Sequence, residues 1–83
     1  MRILVIEDEP RILGFLKVGL EAEGFAVDGA EDGVSGLALA LCEPYELVVL
    51  DLQLPKLDGL RLLKELHRGR PELPVLILSL IHI

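Results

Sequence analysis

Short apolar runs alternate with longer segments of helical periodicity along this chain. The runs occupy residues 3–6, 25–30, 47–50 and 75–79. A continuous apolar run bounded by turn signals is typical of a strand buried on both faces of a parallel sheet. Strands that alternate with helices of about ten to thirteen residues predict βα units joined by right-handed crossovers. The pattern therefore predicts an α/β fold with a parallel sheet.

The first helix is predicted between Pro10 and Glu23. Proline suits the first helical turn, and the acids before it suit the positive end of the helix dipole. Gly24 follows and supplies the left-handed conformation that commonly ends a helix. The residues predicted to form its apolar face are Ile12, Phe15, Leu16, Gly19 and Leu20.

The second strand, residues 25–30, is diluted by an Asp-Gly pair, which favours a position at the edge of the sheet. Asp32 is the predicted N-cap of a second helix, which must stop before Pro44. The residues predicted to form one face of this helix are Val34, Leu37, Ala38 and Leu41.

The third helix is predicted from Gly59 to about Arg68, where Gly69 and Pro71 terminate it. Its apolar residues lie on neighbouring faces and are Leu60, Leu63 and Leu66 or His67. The fourth strand follows at residues 75–79.

The chain of 83 residues is long enough for one small domain, whose core barely offsets the entropy of the chain. Its net charge of −6 argues against direct nucleic-acid binding, because phosphate contacts need clustered Lys and Arg. The single cysteine, Cys42, has no partner for an internal disulfide, and its apolar neighbours predict a buried free thiol. A reducing cytoplasm fits this cysteine. The amino end is no signal peptide and residues 73–83 are too short for a membrane helix, so we expect no membrane association.

Acidic residues follow two of the predicted strands. Glu7 and Asp8 come after the first strand, and Asp51 closes the third. Ligands of open α/β sheets bind just beyond the carboxyl ends of the strands. Pro55 and Asp58, a plausible N-cap, predict a turn there, so that Asp51 stands beside a loop and open to a ligand.

If the first and third strands are neighbours, these three carboxylates converge. Two carboxylates about 4 Å apart repel by about 4 kcal/mol at an effective dielectric constant near 20. Three together raise one another's pKa or require a cation, and a few oxygen ligands with room for water suit Mg²⁺ better than Ca²⁺. The alternative is that acids at strand ends are simply solvated.

Several segments together carry a family resemblance. They are RILVIEDEP, DGVSGL, LVVLDLQLPKLDGLRLLKEL and PVLILS, within Met1 to Ser79. This pattern resembles the receiver domain of bacterial two-component response regulators, and most closely those that carry a winged-helix DNA-binding domain. The resemblance implies a flavodoxin-like sheet with its ligand crevice between strands one and three. It also implies a role in phosphorelay signal transduction rather than as an enzyme.

The resemblance assigns roles to five residues. Asp51 is the implied phosphoryl acceptor, a nucleophile toward a phosphohistidine of a sensor histidine kinase. Asp8 is the implied direct ligand of Mg²⁺, with Glu7 acting through water and Gln53 through its backbone carbonyl. Ser79 is the implied switch hydroxyl, which hydrogen-bonds the new phosphoryl group.

Relative to the family pattern, the chain stops after the fourth strand. The resemblance implies a truncated receiver domain over residues 1–79, with strand order 2-1-3-4 and without the family's last helix-strand-helix portion. That portion includes a lysine that grips the phosphoryl group. Residues 80–83 are an atypical apolar tail that could extend strand four. Because a long apolar edge strand invites pairing, we expect a homo-oligomer through this edge or through exchange of elements.

Three functional hypotheses stay open at this point. The first is a receiver that binds Mg²⁺ and accepts a phosphoryl group on Asp51. The second is a receiver fragment without phosphotransfer that exists as a self-associated oligomer. The third, a small metal-dependent hydrolase, has little support because no general base is visible.

Overall fold

Strands and helices alternate strictly in the part of the chain that the computed structural model describes, residues 1–51 and 59–78. The elements are β1 (Arg2–Ile6), α1 (Pro10–Ala22), β2 (Ala26–Ala30), α2 (Gly33–Cys42), β3 (Leu47–Asp51), α3 (Gly59–Gly69) and β4 (Val75–Leu78). The predicted α/β class is confirmed. No helix within these ranges is long and apolar enough to cross a membrane.

The four strands form one parallel sheet in the order β2-β1-β3-β4. This is the predicted order, and β2 lies at an edge as predicted. In the register of the central pair, Ile6 lies opposite Leu50. The carboxyl ends of β1 and β3 therefore lie side by side.

Helices cover both faces of the sheet, which explains why the strands are almost wholly apolar. Helix α1 packs on one face, where the buried residues are Ile3, Val5, Val27 and Val49. Helices α2 and α3 pack on the other. The buried residues there are Leu4, Ile6, Ala30, Ala40, Tyr45, Val48, Leu50, Leu62, Leu66 and Leu73.

The predicted signals at both ends of α1 and at the start of α2 are confirmed. Pro10 is the first residue of α1, after Glu9, whose side chain accepts a hydrogen bond from the Arg11 backbone N–H at 3.2 Å. Gly24 follows α1 with φ +94°, the left-handed conformation that glycine adopts without strain. Asp32 caps α2 by accepting a hydrogen bond from the Ser35 N–H at 2.7 Å.

The predicted apolar face of α2 is correct only for Leu37, which packs against the core as Leu39 does. The buried residues of α2 are Gly33, Gly36 and Ala40, whereas Val34 is 64% exposed and Leu41 44% exposed. The reason is close packing, since a Cβ atom on Gly36 would lie 2.6 Å from Ile6 Cδ1. The rotation of α2 also exposes Cys42, which corrects the prediction of a buried thiol.

The buried faces of α1 and α3 also differ from the predicted ones. In α1 the residues that pack against the core are Leu13, Leu16 and Leu20, while Phe15 is 78% exposed. In α3 the buried leucines are Leu62 and Leu66, one turn apart, and Leu60 is exposed. Apolar residues lie on the exposed sides of both helices as well, among them Phe15 and Val18 in α1 and Leu60 in α3, so the periodicity alone left the rotation of each helix open.

Arg70 joins the carboxyl ends of α2 and α3. Its Nη1 donates to the backbone oxygens of Ala40 at 3.1 Å and Glu43 at 3.0 Å, and its Nη2 donates to the oxygen of Tyr45 at 3.4 Å. The last carbonyl groups of a helix have no partners within the helix. Arg70 therefore caps α2 and fixes the loop that leads into β3.

Candidate metal centre

Three carboxyl groups meet at the carboxyl ends of β1 and β3. One oxygen from each of Glu7, Asp8 and Asp51 lies within 4.8 Å of the other two. Asp51 is the last residue of β3, and the backbone N–H of Glu7 continues the β1–β2 pairing by donating to Ala30 O at 2.9 Å. The sheet itself therefore positions the acids, which do converge as the sequence indicated.

Two of the three acids are shielded from water. Glu7 is 2% exposed and Asp51 3% exposed, while Asp8 is half-buried. The expectation that Asp51 stands open to a ligand is therefore wrong in this structure. Asp51 directly follows the buried residues Val49 and Leu50, and its carboxyl group lies beside those of Glu7 and Asp8.

Glu7 has an unfavourable environment for a charged carboxylate. Its Oε2 accepts a hydrogen bond from the Asp8 backbone N–H at 3.1 Å, but its buried Oε1 has no hydrogen-bond partner in the described part of the chain. Burial raises the pKa of Glu7 to about 8, helped by a hydrogen bond that its protonated form makes with Asp51 and by the charges of Asp51 and Asp8. At neutral pH the cluster therefore carries a bound proton in place of one negative charge.

The donor set fits a hard divalent cation. Carboxylate oxygens are the protein ligands that Mg²⁺ prefers, and Mg²⁺ usually takes only one or two carboxylates and keeps several waters. Clustered acids bind a proton when no cation is present, and a cation replaces that proton when it binds. The unpartnered Glu7 Oε1 and the proton bound at the cluster fit this behaviour. Glu7, Asp8 and Asp51 could therefore hold Mg²⁺.

Other residues that the sequence singled out lie outside the described part of the chain. They are Gln53, Pro55 and Asp58 in the segment 52–58, and Ser79 with the tail 80–83. The predicted backbone ligand and the predicted switch hydroxyl therefore stay predictions.

A second polar cluster, which the sequence analysis missed, lies at the opposite end of the sheet. Tyr45 Oη donates to Asp28 Oδ2 at 2.6 Å, and Arg2 Nη2 donates to the same oxygen at 2.9 Å. The Arg2 guanidinium also lies 4.9 Å from the centre of the Tyr45 ring. These hydrogen bonds hold the pKa of Asp28 below its usual range, and burial with the bond to Asp28 raises the pKa of Tyr45 to about 12. The cluster ties β1, β2 and the loop before β3 together.

Comparison with known proteins gives one family for nearly the whole chain. Residues 3–82 match the response regulator receiver domain. The transcriptional regulatory protein QseB of Haemophilus influenzae is 51% identical over 79 residues, which cover 95% of this chain and 36% of that protein. The transcriptional activator protein IrlR of Burkholderia pseudomallei is 47% identical, with coverages of 95% and 34%. The chain spans about a third of the length of these relatives.

Solved structures agree with the family match. The non-phosphorylated HemR receiver domain of Leptospira biflexa has a TM-score of 0.88 at 33% identity, with 94% of this chain and 63% of that one covered. The response regulator TrrA of Thermotoga maritima, in complex with Mg²⁺ and BeF, has a TM-score of 0.91 at 36% identity, with coverages of 94% and 68%. A complex of the histidine kinase ThkA with TrrA gives 0.91 at 34% identity, with coverages of 99% and 71%.

Proposed function

This chain belongs to the response regulator receiver domain family, and from that premise we propose that it accepts a phosphoryl group on Asp51. The observation that carries the proposal is the buried cluster of Glu7, Asp8 and Asp51, whose oxygens lie within 4.8 Å of one another. The donor is a phosphohistidine of a sensor histidine kinase. Support for such a partner comes from the similarity to TrrA, which has been solved in complex with the histidine kinase ThkA.

The transfer needs Asp51 as an ionised nucleophile. One of its carboxylate oxygens attacks the phosphorus atom, so that an O–P bond forms while the P–N bond to the histidine breaks. The imidazole nitrogen keeps the electron pair of the broken bond, and the product on Asp51 is an acyl phosphate. Burial raises the pKa of Glu7 to about 8, so at neutral pH Glu7 holds a proton beside the nucleophile.

Glu7, Asp8 and Asp51 are the residues that would hold Mg²⁺, with the backbone carbonyl of Gln53 as a further proposed ligand. When bound, the ion neutralises charge on the phosphoryl oxygens during transfer. Ser79 is the proposed hydroxyl that hydrogen-bonds the phosphoryl group afterwards. We further propose a cytoplasmic location and no direct nucleic-acid binding by this chain, whose net charge is −6.

Intact-mass measurement tests the proposal. The chain is incubated with acetyl phosphate and Mg²⁺, and we expect the mass to increase by one phosphoryl group. Asp51→Asn is expected to show no increase, while the matched control Glu31→Gln, an exposed acid outside the cluster, behaves as the wild type. No increase in the wild type, or an equal increase in Asp51→Asn, would contradict the proposal.

A second candidate function rests on β4. This strand pairs with β3 on one side and with no other strand in the described part of the chain, and Leu76 and Ile77 are 53% and 39% exposed. An apolar edge with unpaired backbone groups favours pairing with another chain. The candidate is therefore a self-associated receiver fragment without phosphotransfer.

Measurements of solution mass and phosphorylation separate the two candidates. If β4 pairs between copies, Leu76→Lys lowers the solution mass to that of one chain, and the matched control Val18→Lys on α1 does not. A wild-type mass of one chain at all concentrations would contradict self-association. A chain that gains the phosphoryl group would contradict the inactive fragment.

A further inference from the structure

The outward side of α2 carries an apolar surface without charged residues. We call it the α2 stripe, and it consists of the exposed residues Val34, Ala38, Leu41 and Cys42. None of the ten residues of α2 is charged. Ser35, which is exposed beside the stripe, is the single polar residue of α2. A helix that is apolar on nearly all sides is normally buried on nearly all sides. The α2 stripe is therefore apolar surface that the fold of a single chain leaves exposed.

The α2 stripe cannot turn into the core of its own chain. Gly36 lies so close to β1 that a Cβ atom there would approach Ile6 Cδ1 to 2.6 Å. Interiors are close-packed, so larger side chains such as Val34 or Leu41 have no room on that side of the helix. The α2 stripe therefore stays on the surface of the fold, where another surface can pack against it.

Opposite charges lie at the two ends of the stripe. Glu31 is exposed just before the amino end of α2. At the other end Leu41 lies against Gly69, since a Cβ atom on Gly69 would be 2.5 Å from Leu41 Cδ2. Arg68, next to Gly69, has an 82% exposed side chain, whose Nη1 lies 3.9 Å from Glu65 Oε1 on the same helix. Such an exposed ion pair contributes little to stability, so Arg68 remains available to a second partner. The α2 stripe therefore has the Glu31 carboxylate at one end, an uncharged centre, and the Arg68 guanidinium at the other end.

We propose that the α2 stripe is the contact surface between two copies of this chain, with the two α2 helices antiparallel about a two-fold axis. Ala38, at the middle of the stripe, then lies near the axis, and Val34 of each copy contacts the partner's Leu41. Glu31 of each copy faces the partner's Arg68, so every contact occurs twice, as a two-fold interface requires.

Charge complementarity favours a second copy in this orientation. Two chains that each carry a net charge of −6 repel one another. The uncharged α2 stripe reduces that repulsion locally, and the antiparallel arrangement adds two attractions between opposite charges. A parallel arrangement would bring Glu31 against the partner's Glu31 and Arg68 against the partner's Arg68. The contact is small, because a helix of this length is only about 15 Å long, so we expect a weak and concentration-dependent dimer.

Sedimentation equilibrium across a range of concentrations tests the contact. We expect the wild-type mass to rise from one chain toward two chains. Val34→Glu is expected to weaken dimerisation at least tenfold, while the matched control Val18→Glu, on α1 and 68% exposed, leaves it unchanged. A wild-type mass of one chain throughout overturns the proposal. Loss of the dimer in Leu76→Lys but not in Val34→Glu also overturns it, because the contact would then be the β4 edge.

Charge reversal tests the orientation. Glu31→Arg and Arg68→Glu are each expected to weaken the dimer several-fold, and the double variant is expected to restore it. Disulfide formation gives an independent readout, in which Ala38→Cys in a Cys42→Ala background cross-links on oxidation and the wild-type Cys42 does not. Failure of the double variant to recover, or efficient cross-linking through Cys42, overturns the antiparallel arrangement. Neither experiment depends on phosphorylation of Asp51.

Discussion

The carboxyl groups of Glu7 and Asp51 lie within 4.8 Å of each other at the ends of adjacent strands, and both are buried. The β1–β3 register brings them together, since it pairs Ile6 with Leu50 and both acids follow directly. Hydrophobic burial of the strands therefore holds two acidic groups in a place that disfavours their ionisation. This is a local cost to stability in the metal-free chain, and it is measurable.

Glu7→Gln is expected to stabilise the metal-free chain at neutral and alkaline pH. The pKa of Glu7 is about 8 in the folded chain, above its ordinary value of 4.5. Its contribution to stability is therefore fully present below about pH 4.5 and is lost as the pH rises through about 8. Glutamine does not ionise, so the free energy of unfolding of Glu7→Gln should exceed that of the wild type by about 1–3 kcal/mol above pH 8.

Urea unfolding with a chelator present, at several values of pH between 5 and 9, measures this difference. The control is Glu21→Gln, an exposed acid on α1, which should follow the wild type at every pH. A Glu7→Gln variant whose advantage does not grow with pH would show that the Glu7 carboxyl is not the titrating group.

Removal of Mg²⁺ should lower stability in a way that depends on Asp8. A ligand that binds only the folded state stabilises it by about 2.7 kcal/mol when its free concentration is 100 times its Kd. We expect added MgCl₂ to raise the midpoint of thermal unfolding of the wild type, and Asp8→Asn to lose most of that increase. Glu31→Gln serves as the control, and equal shifts in all three proteins would argue that Mg²⁺ does not bind at the cluster.

The sequence pattern predicted the α/β class with a parallel sheet, whereas the sheet order came from the family resemblance, and the meeting of the acids follows from that order. Apolar runs too short for helices alternate with helical periodicity, and this alternation leaves few topologies open. The cap at Asp32 and the turn at Gly24 were also predictable, because each depends on neighbours within a few residues. The local sequence determined the cap and the turn.

Features that depend on distant contacts were not predictable. Helix α2 has a single polar residue, Ser35, so periodicity could not identify its buried face. The close approach of Gly36 to Ile6 determines which side of the helix faces the sheet. Asp51 is only 3% exposed, although its place at a strand end beside a predicted loop had indicated an open side chain. The sequence around Arg70 gives no sign of a structural role. In the structure Arg70 caps α2 by donating to the backbone oxygen of Ala40, thirty residues earlier in the sequence.

Tyr45→Phe should destabilise the chain by about 1–2 kcal/mol, because it removes the hydrogen bond to Asp28 and leaves the ring in place. The Asp28 pKa is lowered in the folded chain, so its contribution to stability is present above pH 3.8 and lost as the pH falls through the folded pKa. The loss in Tyr45→Phe should therefore be smaller in acid than at pH 7. Urea unfolding at pH 3 and pH 7 checks this, with Asp28→Asn as the comparison, and an equal loss at both pH values would exclude the charged Asp28 as the partner.

Gly36→Ala should destabilise the chain by about 1–3 kcal/mol, because the added Cβ lies 2.6 Å from Ile6 Cδ1 and either the core or the helix must shift. Gly14→Ala and Gly19→Ala are the matched controls, since both glycines lie in α1 with no atom within 4 Å of an added Cβ. They should instead stabilise the chain by about 0.5–1 kcal/mol through helix propensity. The three changes are chemically identical, so opposite signs in urea unfolding would isolate the close approach of α2 to β1. The same sign for all three would mean that α2 is free to move away from Ile6, and the outward position of Val34 and Leu41 would then lose its structural cause.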